Sequence, residues 1–373
     1  MSPADPSEST TADALALAAR HGIHRLAIPT PFLVGRVNCY LIEDEPLTLL
    51  DTGPNSGKSL DELERALARH GRRIEDLQLI VLTHQHMDHV GLLEILVRRS
   101  GAQVAALSVL GRYLEDFDHS AVQDDEFAQA MMRRHGVPAD LATALGAAVA
   151  AFRAFGSSGH VTRPLRDDDT LALRDRSLRV LHRPGHSPSD TTFWDERRRI
   201  LLAGDHLLGH ISSNPLVTRP LREARHEPGG PDEPSGPDET QDPGARRPSA
   251  LIDYIDSMRA TRELPAELIL PGHGDPIVEH VALIDERLRM HHRRALKMLA
   301  MLGAGPLSAY EIALQMWGNV AVTQAYLTLS EVLGHMDLLA RENQVREVVH
   351  DGVARFEAVA ELSGEGGAAR PQR

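Results

Sequence analysis

The chain has a single cysteine, Cys39, so no disulfide can form within it, which suits a reducing, cytoplasmic setting. Lysine is nearly absent too, with Lys58 and Lys297 alone among 40 basic residues. Acidic residues number 53, and the resulting net charge of -13 argues against tight, general binding to nucleic acid. Aromatic residues make up 4% of the chain, and no stacking pattern for single-stranded bases is visible. No apolar run reaches the roughly 18 residues that a membrane-spanning helix needs. The first stretch, MSPADPSESTTADA, has neither the basic nor the apolar region of a secretory signal, and residues 1–20 read as a disordered leader.

What is present is enough apolar residue, 42% of 373, for one large domain and a smaller one. Strand-like runs come first: HRLAIPT, VGRVNCYLIE with its period of two, LTLLDTG and LQLIVLTH. Between them SLDELERALARHG reads as a helix with Ser59 as its N-cap and Gly71 as its stop, and HVGLLEILVRRSG as a second helix. Strands alternating with helices predict an α/β fold. Residues 109–155 form a helical insertion that carries Phe117, Phe127, Phe152 and Phe155. It reads either as an apolar lid or as a helical hairpin packing its own core. Strands then resume through DTLALRD, SLRVLHRPGHS, TTFWDE and RRILLAGDHLL. The stretch 221–249 is rich in Pro, Gly and acidic residues and reads as a disordered loop. After the strand AELILPGHG comes a long helix from about 277 to 302. Two helical segments and a hairpin turning at Asp351-Gly352 follow, so 281–362 is expected to form a winged-helix-like domain. That leaves 21–280 as the catalytic domain and 363–373 as a disordered tail.

The stretch VLTHQHMDHVGLLE concentrates the chemistry. His84 and His86 are two apart, so on extended backbone their side chains point the same way and can grip one ion. Asp88 and His89 lie further round the turn and can face a second ion. Imidazole nitrogens and carboxylate oxygens are the donors a divalent ion takes, and a catalytic site keeps one position open. One loop supplies too few donors for two ions, so the reading demands others. His186 in PGHS, Asp205 in AGDH and His273 in PGHG each follow an apolar strand-like run, where α/β folds place their chemistry. Cys39 lies inside an alternating strand and reads as core.

These residues, with the upstream Asp51-Thr52-Gly53, resemble the metallo-β-lactamase superfamily over roughly residues 23–280. The resemblance implies a four-layer αββα sandwich with a dinuclear zinc site at one edge, although other divalent metals suit the same donors. It implies that His84, His86 and His186 hold one metal, that Asp88, His89 and His273 hold the other, and that Asp205 bridges them. Asp51 would stand behind the ligands and orient a ligand loop or histidine, or serve as a turn alone. The insertion and the C-terminal elements also resemble the lactamase-β-2-like branch, whose human-type member is linked to cleavage of single-stranded RNA. The expected chemistry is attack by a metal-bridging hydroxide on a carbonyl substrate, a thioester, ester or lactone, with Asp88 orienting the nucleophile and relaying its proton. The expected partner is therefore a small-molecule acyl substrate, with no membrane and with oligomeric state open. Two alternatives stand beside it. One is a metal-dependent endoribonuclease or phosphodiesterase, with single-stranded RNA as partner and the basic run Glu286–Lys297 as its contact. The other is a mononuclear iron sulfur dioxygenase.

Overall fold

Strand residues of opposite parity feed different cores, and this sets the layering. In VNCYLI, Val37, Cys39 and Leu41 join one buried cluster while Tyr40 and Ile42 join another. In ILLAG, Ile200 and Leu202 share that second cluster, while Leu201 and Ala203 enter a third. A strand buried on both faces must lie in a sheet covered on both sides. The computed structural model describes residues 6–221 and 247–359 and shows this arrangement.

One sheet has six strands in sequential order: β1 (Ile23–Ile28), β2 (Val37–Ile42), β3 (Thr48–Leu50), β4 (Leu79–Val81), β5 (Gln103–Leu107) and β6 (Arg163–Leu165). The first three are antiparallel, and β3 to β6 run parallel. The second sheet has five strands: β7 (Thr170–Ala172), β8 (Ser177–His182), β9 (Thr191–Asp195), β10 (Ile200–Gly204) and β11 (Leu268–Pro271). Its neighbours are antiparallel except for the parallel pair β10 and β11. The two sheets face each other across a cluster that includes Tyr40, Leu50 and Val81 from one and Val180, Phe193 and Leu270 from the other.

Helices cover the outer faces. α1 (Pro6–Arg20) is the exception and packs against the core between the sheets; α2 (Gly57–Arg69), α3 (Met87–Val90) and α4 (Leu93–Ser100) pack on the first sheet's outer core. α2 turns Leu63, Ala66 and Leu67 inward, at the spacing of one helix face. Each fully buried leucine there contributes on the order of 2 kcal/mol. Its N-cap is Ser56, whose hydroxyl accepts from the Ser59 N–H, so the expected cap at Ser59 is corrected by three residues. The insertion holds α5 (Leu110–Glu115), α6 (Phe117–Arg134) and α7 (Ala139–Ala150). The second sheet is covered by α8 (Ala250–Arg262) and α9 (His280–Met301).

The C-terminal domain follows with β12 (Leu307–Ser308), α10 (Ala309–Trp317), α11 (Val320–Thr323), α12 (Ala325–Arg341), β13 (Val345–His350) and β14 (Val353–Ala358). Asp351 and Gly352 both have positive φ, 51° and 77°, as the two-residue turn of a twisted hairpin requires. Met131, Met132 and Ala142 of the insertion share one core with Val217 and with Leu329, Val332 and Met336 of α12. The insertion thus packs largely against the C-terminal domain, while Phe117 belongs to the core of the first sheet.

Residues 6–20 depart from the expected disordered leader. They form α1, with Ala14 and Ala18 buried in the core between the sheets and Leu17 packed against it. Small residues at positions i and i+4 make a narrow apolar stripe that mean composition does not reveal. The expected loop at 221–249 lies mostly outside the described residues, as does the tail from 363. Among the described residues, no helix is long and apolar enough to cross a membrane.

Candidate metal centre

Every residue singled out as a ligand lies just beyond the C-terminal end of a strand. Asp51 follows β3, the segment His84–His89 follows β4, and His186 sits in the loop after β8. Asp205 comes directly after β10, and His273 two residues after β11. Because β3 and β4 run parallel, as do β10 and β11, their exits lie together at one edge of the sandwich. Residues up to 222 positions apart in sequence thereby meet, since Asp51 and His273 border the same cluster.

The side chains gather into overlapping groups of donor atoms: His84, His86 and His186; Asp88, His89 and His273; and, linking them, His84 and His89 with Asp205. In the first, His84 Nε2 and His186 Nε2 each lie 3.0 Å from His86 Nδ1. In the second, His273 Nε2 is 3.2 Å from Asp88 Oδ2, and His89 Nε2 is 4.0 Å from Asp88 Oδ1. Asp205 stands between them. Its Oδ1 is 3.4 Å from His89 Nε2, and its Oδ2 is 3.4 Å from His273 Nε2 and 3.6 Å from His186 Nε2.

Hydrogen bonds behind the rings decide which nitrogen carries the proton. The Thr83 hydroxyl donates to Asp51 Oδ2, so it accepts from His84 Nδ1 at 2.9 Å and leaves His84 Nε2 bare. His186 Nδ1 donates to the Asn214 carbonyl at 3.2 Å, and His273 Nδ1 to the Arg36 carbonyl at 2.9 Å. His89 Nδ1 donates to Asp51 Oδ2 at 2.8 Å. Four imidazoles are therefore held from behind, with their Nε2 atoms turned toward a shared space. His89 Nε2, His273 Nε2 and Asp205 Oδ1 are buried there with no hydrogen bond of normal geometry. Buried polar atoms left unpaired cost about 1–3 kcal/mol each, and a cation in their midst would satisfy all three.

The electrostatics divide the two groups. Burial, reinforced by neighbouring imidazoles, lowers the pKa of His84 well below its ordinary value and that of His86 to about 3. Both are thus neutral donors at pH 7. Burial also opposes charge on His89 and His273, but Asp205 and the carboxylates nearby overcome it and raise both. In turn those imidazoles outweigh burial at Asp88 and Asp205 and keep both carboxylates ionised. Cys39 is fully buried, and burial followed by the charges of Asp51 and Asp88 pushes its thiol pKa up, so it stays protonated as a core residue.

All seven expected ligands meet at this edge. Asp51 accepts from His89 Nδ1 and, at φ 56°, also makes a tight left-handed turn. Other contributors carried little or no signal in the sequence. Arg36 and Asn214 act through backbone carbonyls, which have no side-chain identity. Thr83 couples His84 to Asp51, and its place just before the histidine motif was the available clue. Asp190 closes the His186 loop by accepting from the Ser187 N–H and hydroxyl, and burial raises its pKa to about 6. Gly272 is required for space, because a Cβ there would stand 2.2 Å from Asp205 Oδ1 and 2.9 Å from His89 Cε1.

A further group of potential donors, His291, Glu331 and His335, lies between α9 and α12. Its members are already engaged. Glu331 pairs with the Arg294 guanidinium, His335 Nδ1 donates to the Glu331 carbonyl, and His291 Nδ1 meets His335 Nε2 at 3.3 Å. Other charges of the basic run on α9 are similarly committed, with Arg289 and Arg293 both paired to Glu286.

Residues 33–273 match the family model described as the metallo-beta-lactamase superfamily. The chain is 30% identical to the probable metallo-hydrolase YqjP of Bacillus subtilis, over 86% of this chain and 92% of that protein. A metallo-beta-lactamase family protein of Thermus thermophilus superposes with a TM-score of 0.69 at 25% identity, covering 91% of this chain and 99% of the other. A shorter match, 24% identical over 48% of this chain and 69% of the relative, is to the hydroxyacylglutathione hydrolase GloC of Haemophilus influenzae.

Proposed function

The chain belongs to the metallo-beta-lactamase superfamily and is a metal-dependent hydrolase, and from that premise we propose that it holds two zinc ions and cleaves an acyl substrate, a thioester, ester or lactone. The observation that carries the reading is the convergence of buried ring nitrogens and carboxylate oxygens on either side of Asp205. In this reading His84, His86 and His186 would hold one ion and Asp88, His89 and His273 the other, with Asp205 within reach of both groups.

When bound, zinc would supply Lewis acidity and lower the pKa of coordinated water to about 7. The chain's own residues do the rest. Asp51, Thr83, Asn214 and Arg36 fix four imidazoles in the tautomer that presents Nε2. Asp88, kept ionised by His89 and His273, has an oxygen able to orient the attacking water and take its proton. His86 and His186 are the half-buried members of the set, so they mark the side open to substrate.

An apolar rim supports an acyl substrate. Phe32 lies 5.7 Å from Phe152 and 6.0 Å from Phe155, ring centre to ring centre. The exposed Leu33 continues the rim, and Phe152 is also open to solvent. Both parts of the rim are tied to the site. The loop bearing Phe32 runs on to Arg36, which holds His273. The Phe155 carbonyl lies only 2.2 Å from where a Cβ on Gly91 would be, two residues past His89. An apolar surface of this kind suits an acyl chain better than a polyanion. The hydroxyacylglutathione hydrolase among the relatives acts, by its name, on an acyl compound of glutathione.

The test is metal analysis of the purified chain with a panel of acyl-CoA, acyl-glutathione, lactone and single-stranded RNA substrates. Two equivalents of zinc and turnover of an acyl compound are expected. One iron per chain with oxygen consumption, or RNA cleavage without acyl turnover, would overturn the proposal.

A further inference from the structure

The segment 205–221 contains no helix or strand, yet it touches two of the residues placed at the metals and the C-terminal domain. At its start, the Ser213 hydroxyl donates to the backbone carbonyl of Asp205. One residue later, the Asn214 carbonyl accepts from His186 Nδ1. The other side of the segment is gripped by the first turns of α12. The Asn214 side-chain amide donates to the Leu327 carbonyl at 3.2 Å, Val217 N–H donates to Ser330 Oγ at 3.3 Å, and Tyr326 OH donates to the Val217 carbonyl. Val217 itself is fully buried in the core that α12 shares with the insertion.

We infer that the C-terminal domain positions His186 for metal binding, through a strap whose Asn214 is held by α12 at its side chain and holds the imidazole with its carbonyl. His186 is half-buried, and its loop after β8 meets α8 at Pro184 and Gly185, through Ser257 and Tyr254, which leaves the imidazole itself to be aimed from behind. The direction of its Nε2 depends on the carbonyl behind it, and a carbonyl in irregular backbone is only as fixed as its anchors. Those anchors come from residues more than 100 positions further along the chain. By contrast, His84 and His89 are braced by Thr83 and Asp51 within the first sheet. The domain's influence therefore falls on the group containing His186 and spares the group containing His89. Tyr326, Ser330 and Asn214 are positioning residues, acting through His186.

This inference rests on the proposed assignment of His186 as a ligand, and the experiment separates the two. Zinc is titrated into metal-free protein against a chelator, and the cobalt-substituted protein is followed by its ligand-field spectrum. Tyr326→Phe with Ser330→Ala, and separately Asn214→Ala, are expected to weaken one of two bound equivalents about 10-fold or more, leaving the other within about twofold. Ser308→Ala serves as the control, because it removes the N-cap of α10 in the same domain without touching the strap. It should lower the melting temperature and leave both metal affinities unchanged. If the strap variants bind both equivalents as the unaltered chain does, or lose affinity no more than Ser308→Ala, the inference is wrong. If His186→Ala itself retains both equivalents at full affinity, the ligand assignment has failed and takes the inference with it.

Discussion

Replacing Asp51 by Asn exchanges one oxygen for an NH2 group in a buried network and keeps its shape. Asp51 accepts three hydrogen bonds: Thr83 N–H at 2.9 Å on Oδ1, with the Thr83 hydroxyl at 2.8 Å and His89 Nδ1 at 2.8 Å on Oδ2. If the new amide nitrogen takes the Oδ1 place, it faces the Thr83 N–H, donor against donor. If it takes the Oδ2 place, the Thr83 hydroxyl can turn and accept, but His89 must give up its Nδ1 proton. The imidazole's remaining proton is then held on Nε2, the atom that faces Asp205 and Asp88, and a protonated nitrogen cannot ligate. Either way at least one hydrogen bond to a charged group is lost, a cost of about 1.5–3 kcal/mol. Expressed as metal affinity, that is on the order of a 10- to 100-fold weakening of the group containing His89. Chelator competition on the metal-free protein measures it, with circular dichroism to confirm an unchanged fold. An Asp51→Asn chain that binds zinc as tightly as the parent would refute the reasoning about tautomers, and Asp51 would be a turn residue alone.

Three further outcomes are expected. Gly272→Ala places a methyl 2.2 Å from Asp205 Oδ1, so the carboxylate or its loop must move; a loss of about 1–3 kcal/mol in denaturant unfolding and a fall in bound metal should follow, and an unchanged metal content would show that the loop yields freely. His86→Ala and Asp205→Ala should each abolish hydrolysis while thermal unfolding remains cooperative, and full activity in both would mean that the centre is misplaced. The third concerns His291, which faces Glu331, His335, Arg294 and Arg287 and whose pKa burial lowers from 6.5 to about 4. Its unfolded state therefore binds a proton more readily than the folded one, so its contribution is present above pH 6.5 and is lost as pH falls toward 4, up to about 3 kcal/mol. Urea titrations at pH 7 and pH 5 should show the parent losing more stability than His291→Gln, and parallel profiles would contradict the burial argument.

The alternation of apolar residues and the placing of histidine and aspartate donors at strand exits were enough to predict an α/β fold and the seven residues that meet at its edge, while its four layers came from the family resemblance. Strand periodicity depends on the two-residue repeat of the extended chain, and ligand chemistry on side-chain type; both are properties of residues in order. The helix α1 was missed for the converse reason. Its value lies in Ala14, Leu17 and Ala18 fitting a surface made by distant strands, and small residues carry little signal by themselves. Ser56 likewise displaced Ser59 as N-cap because a cap is decided by where the backbone leaves the helical region.

By itself, then, the amino-acid order determined which atoms could bind a metal and at which strand ends they would lie. The tertiary structure alone decided how they are aimed. The Arg36 and Asn214 carbonyls that set the tautomers of His273 and His186 are atoms every residue possesses. Only the folded chain, with α12 holding Asn214 from 113 residues away, singles them out. Packing also gave the insertion its partner in the C-terminal domain and brought Phe32 together with Phe152 and Phe155. A contact between segments far apart in sequence depends on the shape of both, and neither segment states that shape alone.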